Sequence, residues 1–194
     1  MNNTLRALIG TALLALAGCH HAAGQPPLAG ARIGGPFTLT DQDGRTVSDR
    51  QFAGRYRIIY FGYTYCPDVC PTALQHLMQG LREFRGRAPD RAAKVQPIFI
   101  TVDPARDTPA VLKQYTRAFD PQLIGLTGSD AQIATVAKEF AVYYKKAVKP
   151  GSSDYLVDHM SQALLFGPDG APIALLPQEQ DAGAIAAELD KWVR

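Results

Sequence analysis

The sequence contains few cysteines and no marked excess of charge of either sign. Three of its 194 residues are cysteine, and 20 basic side chains (Lys and Arg) stand against 18 acidic ones (Asp and Glu). Small exported domains that are held by disulfides have many more cysteines for their length. Nucleic-acid binding is typical of chains with clustered positive charge, which a net charge of +2 does not indicate. A disulfide scaffold is therefore excluded, and no nucleic-acid partner is expected.

The sequence also lacks a hydrophobic run long enough to span a membrane. Its most apolar segment, residues 7–17, follows a short start that carries Arg6, and it leads into Leu16-Ala-Gly-Cys19. A membrane span needs about 20 apolar residues, whereas this shorter run is typical of a signal peptide. The Leu-Ala-Gly-Cys ending resembles the lipobox of bacterial lipoproteins, in which the cysteine is acylated. We therefore expect residues 1–18 to be a lipoprotein signal peptide and Cys19 to be lipidated; the alternative is an ordinary signal peptide with an incidental cysteine.

Acylation of Cys19 would attach the protein to the bacterial cell envelope. Two or three acyl chains give stable attachment, since one chain alone binds a membrane only marginally. The expected location is the periplasmic face, with the choice between inner and outer membrane left open. Residues 19–32 are rich in Gly, Ala and Pro and show no hydrophobic period. They predict a flexible tether between the lipid anchor and a domain that spans residues 33–194.

The domain shows the patterns of alternating strands and helices. The first half of the domain predicts a hairpin at Phe37–Val47, a buried strand at Arg57–Gly62, a helix with Leu74, Leu77, Met78, Leu81 and Phe84 on one face, and a strand at Val95–Val102. The middle predicts a helix that begins at Thr108-Pro109, a short strand at Leu123–Leu126, and a helix whose start is marked by Ser129 and Gln132. The last part predicts a hairpin at Ala163–Leu176 and a helix that buries Ile185, Leu189 and Trp192. This order favours an α/β domain with a thioredoxin-like fold. We expect a mixed central sheet with helices on both faces and an N-terminal hairpin.

The two remaining cysteines lie where a buried strand ends and a helix begins. Cys66 and Cys70 stand in Phe61-Gly-Tyr-Thr-Tyr-Cys-Pro-Asp-Val-Cys-Pro-Thr72. A helix N-terminus carries partial positive charge, which lowers the pKa of a thiol and favours the thiolate. Because the thiolate both binds soft metals and attacks disulfides, this position permits either chemistry. Thioredoxin-type reductants use C-x-x-C; the additional residue in C-x-x-x-C lets the sulfurs diverge enough to hold an ion, while a disulfide stays possible.

His159 is a candidate third ligand. It lies in a predicted loop just before the late hairpin, and thioredoxin-like topology brings such a loop near the N-terminus of the first helix. Two thiolates and an imidazole suit Cu(I), and the nitrogen ligand also allows Cu(II) to bind. The alternative is that His159 only makes hydrogen bonds within the loop. Asp68 and Asp158 are candidates for orienting His159 or tuning a metal, or for capping turns. We expect Asp103 and Asp107 to shape a loop rather than to contact metal.

Three motifs occur in a fixed order along the chain. They are Tyr60-Phe-Gly-Tyr-Thr-Tyr-Cys-Pro-Asp-Val-Cys-Pro-Thr72, Thr101-Val-Asp-Pro-Ala-Arg-Asp-Thr-Pro109 and Tyr155-Leu-Val-Asp-His159, and the Gly167-Pro-Asp-Gly170 turn follows them. Together they resemble the Sco/SenC family of copper proteins, which assist assembly of the copper A centre of cytochrome c oxidase. The resemblance covers residues 33–193 and implies one copper ion per chain, held by Cys66, Cys70 and His159. Tyr65 stands where many members have His or Phe, which leaves this ligand set intact.

The resemblance implies a metallochaperone rather than an enzyme, and no catalytic residue is assigned. It implies delivery of copper, as Cu(I) or Cu(II), to the copper A-bearing subunit of cytochrome c oxidase. Other periplasmic copper carriers or thiol reductants are expected as further partners. In the alternative interpretation the protein is a thiol-disulfide oxidoreductase, whose redox-active pair Cys66 and Cys70 keeps the oxidase's copper-ligand cysteines reduced. Both interpretations use the cysteines, but only copper delivery requires His159.

Overall fold

A seven-stranded mixed β-sheet forms the centre of the protein. The computed structural model describes residues 24–148 and 154–194. The strands are β1 Thr38–Asp41, β2 Thr46–Ser48, β3 Tyr56–Gly62, β4 Val95–Thr101, β5 Ile124–Thr127, β6 Tyr144–Val148, β7 Tyr155–His159, β8 Ala163–Phe166 and β9 Pro172–Leu176. The central sheet has the order β2-β1-β5-β4-β3-β8-β9, and β6 and β7 form a separate two-stranded sheet.

Helices connect and cover the strands. They are α1 Val69–Arg87, α2 Pro89–Ala92, α3 Pro109–Arg117, α4 Asp130–Glu139 and α5 Ala182–Trp192, with one 3₁₀ turn at Asp49–Phe52. The strands β3, β4 and β5 are parallel, while β1, β8 and β9 pair antiparallel with their neighbours. Every residue of β3 and β4 is buried, as expected for parallel strands that are covered on both faces.

Aromatic contacts show which helices cover each face of the sheet. On one face Tyr60 of β3 stacks with Phe99 of β4, and Phe99 contacts Tyr115 of α3. On the other face Phe61 contacts Phe140, which directly follows α4. Because adjacent strand residues point to opposite faces, Tyr60 points to one helical layer and Phe61 to the other. The prediction of helices on both faces is confirmed.

The two helices α1 and α5 pack closely against each other. A Cβ atom at Gly80 of α1 would lie 2.6 Å from the side chain of Ile185 in α5, so only glycine permits this approach. The helical face predicted from Leu74, Leu77, Met78, Leu81 and Phe84 is fully buried in the core. The N-terminus of α1, where the cysteines lie, is held on the sheet by this packing.

Most elements predicted from the sequence are present. The first hairpin pairs Leu39 with Val47, the Ser129 and Gln132 side chains form the predicted capping box, and β8 and β9 pair across the Gly167–Gly170 turn. These elements depend on local signals, namely turn residues, caps and continuous apolar runs. Sequence patterns therefore located the sheet and the strand-to-helix junction that holds the cysteines.

The two-stranded sheet β6–β7 is absent from the predicted elements. His159 was expected in a loop, but it is the last residue of β7 and pairs in register with Tyr144. Most residues of the two strands are at least partly exposed, and β6 contains Lys145 and Lys146. The alternation of apolar and polar residues that marks a half-buried strand is therefore weak here.

Part of the predicted tether contacts the domain, while the boundary between tether and domain stays a prediction. The Leu28 backbone N–H donates to the carbonyl oxygen of Ile173 at 3.0 Å, and Leu28 packs on the core. Leu28 supplies an apolar side chain, and β9 supplies the free backbone acceptors of an edge strand. The predicted signal peptide and Cys19 lie outside the described residues. None of the helices in 24–148 and 154–194 is long and apolar enough to cross a membrane.

Candidate metal-binding site

The two cysteines are brought together at the junction of β3 and α1. The Cys66 N–H donates to the Tyr63 carbonyl oxygen at 3.2 Å, which closes a turn after β3. Cys70 lies in the first turn of α1, and its backbone N–H donates to Cys66 Sγ at 3.4 Å. Both residues are buried and both are free thiols. Gly62 is required here because a Cβ atom would lie 2.9 Å from Cys70 Sγ.

His159 completes a group of three potential ligands. Its Nε2 atom lies 3.2 Å from Cys70 Sγ, and its ring meets the Tyr63 ring edge-on at 5.7 Å between centroids. The sulfur atoms of Cys66 and Cys70 and a ring nitrogen of His159 all lie within 4.8 Å of one another. The other ring nitrogen, Nδ1, lies 2.9 Å from the Met160 carbonyl oxygen. A bond from Nδ1–H to this carbonyl leaves Nε2 free to accept a proton or a metal.

The two thiols differ strongly in acidity. The pKa of Cys66 is lowered to about 4, chiefly by a hydrogen bond from the Cys70 thiol, with smaller contributions from His159 and from the backbone N–H groups of Asp68 and Cys70, against the effect of burial. The same hydrogen bond to Cys66, together with burial, raises the pKa of Cys70 above that of an ordinary thiol. At neutral pH Cys66 is therefore the thiolate and Cys70 the proton donor. A metal that binds both sulfurs displaces the Cys70 proton.

The two candidate supporting carboxylates do not contact the histidine. Asp68 immediately precedes α1, is exposed, and its side chain makes no capping hydrogen bond. Asp158 is exposed and stands opposite Lys145 in the β6–β7 register, whereas His159, one residue further along β7, is directed to the site. The orienting contact that the structure shows for His159 is the Met160 carbonyl. A role for Asp68 or Asp158 in tuning a metal stays a prediction.

A buried carboxylate that the sequence did not connect with the site holds the cysteine loop. Asp107 Oδ2 accepts from the Thr64 backbone N–H at 3.0 Å and from the Thr101 hydroxyl at 2.6 Å, and Asp107 Oδ1 accepts from the Thr64 hydroxyl at 2.6 Å. Thr64 lies two residues before Cys66, so these bonds join the loop to the end of β4. Burial raises the pKa of Asp107, although the three donors oppose this effect.

A second carboxylate of the same turn holds the strand that carries His159. Asp103 Oδ1 accepts from the Tyr155 hydroxyl at 2.7 Å, and Asp103 also pairs with Arg106. The Arg106 guanidinium donates to the Tyr155 carbonyl oxygen at 3.1 Å and lies over the Tyr155 ring. The expectation that Asp103 and Asp107 shape a loop is confirmed. The sequence patterns do not identify Arg106 and Tyr155 as supports of the site, although Arg106 lies in the motif at residues 101–109 and Tyr155 in the motif at residues 155–159.

The arrangement supports two kinds of chemistry. Two sulfur ligands and one imidazole nitrogen suit Cu(I), and the nitrogen also accommodates Cu(II). A thiolate next to a thiol four residues away also has the components of a dithiol–disulfide couple. The donor set therefore fits copper without excluding redox exchange.

Comparison with known proteins defines first the class and then the family. The central sheet, the covering helices and the cysteines at the N-terminus of α1 define a thioredoxin-like protein with a candidate thiolate–imidazole metal site. The thioredoxin domain of a thiol-disulfide oxidoreductase from Bacteroides vulgatus aligns with a TM-score of 0.57 at 15% identity, covering 84% of this chain and 96% of that domain. The sequence model of the SCO1/SenC family matches residues 25–194. The chain belongs to this family.

Individual relatives agree with this assignment. The human mitochondrial SCO1 homolog is 38% identical over 164 residues, which are 84% of this chain and 53% of the relative. Copper-bound ScoI of Bradyrhizobium japonicum aligns with a TM-score of 0.74 at 44% identity, covering 83% of this chain and 99% of that structure. Copper-bound yeast Sco1 aligns with a TM-score of 0.73 at 38% identity, covering 82% and 87% respectively. The chain spans about half the length of the curated relatives it matches.

Proposed function

We propose that the protein binds one copper ion through Cys66, Cys70 and His159 and delivers it to the copper A-bearing subunit of cytochrome c oxidase during assembly. The observation that carries this proposal is the convergence of two sulfurs and an imidazole nitrogen within 4.8 Å. Relatives of known structure are described with copper bound. Another member, BsSco, is described as belonging to a family of cytochrome c oxidase assembly proteins.

The geometry is suited to transfer as well as to binding. Cys66 is ready as a thiolate at neutral pH, so it binds an incoming ion without losing a proton first. Tyr65, which precedes Cys66, and Val69, which precedes Cys70, are both exposed, so a partner's ligands reach this side of the site. Soft thiolate ligands exchange copper with other thiolates of similar affinity, which is the chemistry that a delivery step requires.

The decisive experiment uses His159→Ala. Copper stoichiometry is measured on the purified reduced protein, and oxidase activity is measured in copper-limited cells that produce only the variant. We expect the His159→Ala protein to lose the nitrogen ligand of its copper, and the His159→Ala strain to show an oxidase defect as severe as that of the Cys66→Ser and Cys70→Ser strains. His76→Gln is the matched control, because His76 lies in α1 and bonds the Gln178 carbonyl rather than the cysteines. Normal oxidase activity in the His159→Ala strain contradicts copper delivery.

A second candidate function is thiol-disulfide exchange. It is favoured by the low pKa of Cys66 beside a free Cys70 thiol, the arrangement of an attacking thiolate and its resolving partner. A disulfide switch is described for BsSco, which is 25% identical with a TM-score of 0.65, over 86% of this chain and 96% of that structure. If thiol-disulfide exchange is the function, the His159→Ala strain should retain oxidase activity and both cysteine-variant strains should lose it. The same strains therefore distinguish the two functions.

A further inference from the structure

The hairpin that carries His159 consists of β6 and β7. β6 and β7 pair with each other and with no other described strand. Tyr155 is the first residue of β7 and His159 the last. In an extended strand the two are separated by about 13 Å, and their alternating positions place both side chains on the same face. The way in which the Tyr155 end of the strand is fixed therefore contributes to the position of His159, beside the pairing of His159 with Tyr144.

Tyr155 is fixed by three separate contacts. Its hydroxyl donates to Asp103 Oδ1 at 2.7 Å, its carbonyl oxygen accepts from Arg106 Nη1 at 3.1 Å, and its ring lies 3.7 Å from the Arg106 guanidinium carbon. Asp103 is fully buried and pairs with Arg106 as well. A hydrogen bond to a buried carboxylate is stronger than one between neutral groups. Tyr155 is thus joined to a rigid part of the core.

The turn that holds Tyr155 also holds the cysteine loop. The backbone N–H groups of Arg106 and Asp107 both donate to the Asp103 carbonyl oxygen, which makes residues 103–107 one compact turn. Within this turn Asp107 binds Thr64, while Asp103 and Arg106 bind Tyr155. One turn therefore fixes the cysteine side and the histidine side of the site relative to each other.

We propose that Tyr155 is a positioning residue, which acts through Asp103 and Arg106 to set the distance between His159 and the two cysteines, and thereby the affinity for Cu(II). This inference rests on the proposed function, since it concerns how the same site holds copper. Two thiolates alone satisfy Cu(I), whereas Cu(II) gains from the imidazole nitrogen. Displacement of His159 therefore weakens Cu(II) binding more than Cu(I) binding.

The first test needs no metal. Tyr155→Phe removes the hydroxyl and keeps the ring over Arg106, and Tyr143→Phe is the matched control, because Tyr143 is exposed next to the same hairpin. Nuclear magnetic resonance of the reduced, metal-free protein follows amide exchange in β7 and the proximity of the Tyr63 and His159 rings. We expect Tyr155→Phe to raise exchange rates in β7 about tenfold and to weaken the ring–ring signal. Unchanged exchange and an unchanged signal overturn the proposal.

The second test measures copper affinity by competition. Tyr155→Phe should lower the Cu(II) affinity about tenfold, with a much smaller change for Cu(I) and none for Tyr143→Phe. In a His159→Ala background Tyr155→Phe should add no further loss, because the effect passes through the histidine. The proposal is overturned if Tyr155→Phe lowers the Cu(II) affinity equally in the His159→Ala background, or if it lowers the Cu(I) and Cu(II) affinities equally. Arg106→Lys, which changes a partly exposed side chain, supplies the same comparison if Tyr155→Phe fails to fold.

The two proposals fail in different ways. A wild-type protein that binds no copper contradicts the proposed function, and the metal-free exchange measurement then still decides whether Tyr155 positions His159. A wild-type protein that binds copper while Tyr155→Phe keeps full Cu(II) affinity contradicts only the positioning role.

Discussion

At the scale of single residues, the two cysteines are chemically unequal although they are only four residues apart. Cys66 lies in the loop and receives hydrogen bonds from the Cys70 thiol and from backbone N–H groups. Cys70 is completely buried in the first turn of α1; it keeps its proton and donates a hydrogen bond to the Cys66 thiolate. The helix N-terminus alone predicts two acidic thiols, but only one negative charge is stabilised in so small a space.

This inequality predicts the pH dependence of thiol alkylation in the reduced, metal-free protein. The pKa of Cys66 is lowered to about 4, so Cys66 stays a thiolate across the neutral range and loses reactivity only as the pH falls through this value. The pKa of Cys70 is raised, so Cys70 stays protonated and reacts slowly. Iodoacetamide labelling with peptide mass spectrometry between pH 3 and 9 measures both rates. In urea both cysteines should titrate near the ordinary thiol pKa of about 8.5. A folded Cys66 that also titrates there contradicts the prediction.

A second prediction at this scale concerns Gly62. A Cβ atom there would lie 2.9 Å from Cys70 Sγ and 3.0 Å from the rings of Phe99 and Tyr60. Gly62→Ala should therefore lower the free energy of unfolding by about 1–3 kcal/mol and displace Cys70. Urea unfolding measures the first effect and the pH profile of alkylation the second. Gly86→Ala is the matched control, because Gly86 is exposed in α1 with open space around its Cα; it should raise stability by about 0.5–1 kcal/mol.

At the scale of elements, the turn between β4 and α3 connects parts of the chain that are distant in sequence. Asp107 joins this turn to the cysteine loop, 43 residues away, through two hydrogen bonds at Thr64, and to the end of β4 through a third at Thr101. Its carboxylate is fully buried and accepts from every one of these donors. The turn therefore helps to hold the strand-to-helix junction, in addition to the local hydrogen bond between Cys66 and Tyr63.

We expect Asp107→Asn to destabilise the protein and to loosen the cysteine loop. The amide is uncharged and has one acceptor oxygen in place of two, so at least one donor is left without an acceptor, at a cost of about 1.5–3 kcal/mol. Thermal unfolding measures the loss, and amide exchange at Thr64 and Cys66 should rise. Asp90→Asn, an exposed position in α2, serves as the control and should leave both values unchanged. Loss of stability without faster exchange in the loop contradicts the assigned role.

At the scale of the whole molecule, metal binding is linked to folding. The three candidate ligands come from the β3–α1 junction and from β7, so they converge only in the folded chain. An ion that binds this group and not the unfolded chain stabilises the fold by about 4 kcal/mol at a free concentration of 1,000 times its Kd. We expect Cu(I) to raise the Tm of the reduced protein. A Cys66→Ser, Cys70→Ser double variant should show no increase, and an increase as large as that of the wild type contradicts binding at this site.

The predicted lipid anchor also belongs to this scale. Cys19 lies outside the described residues, and its acylation stays a prediction. Cys19→Ala should abolish incorporation of labelled fatty acid and move the protein from the membrane fraction to the soluble periplasmic fraction, because no acyl chain remains to hold it. Cys66→Ala is the control, since it removes a cysteine of the site and not the predicted anchor. Unchanged membrane partitioning of Cys19→Ala contradicts lipidation.

The sequence by itself determined the elements whose signals are local. Continuous apolar runs located β3 and β4, side-chain caps located the starts of α3 and α4, and the Gly167–Gly170 turn located the last hairpin. The C-x-x-x-C spacing after a buried strand located the candidate cysteines. Each of these depends on residues within a few positions of one another, where backbone preference and hydrophobic period act directly.

Only the tertiary structure decided how His159 meets the cysteines. The contact between Cys70 Sγ and His159 Nε2 joins residues 89 apart. The strand that carries His159 has exposed residues and a lysine-rich partner, so it left no clear period in the sequence. The unequal acidity of the two thiols and the attachment of Tyr155 to Asp103 likewise depend on burial and on hydrogen bonds between separate elements. These contacts arise from packing of the whole chain, which no local pattern encodes.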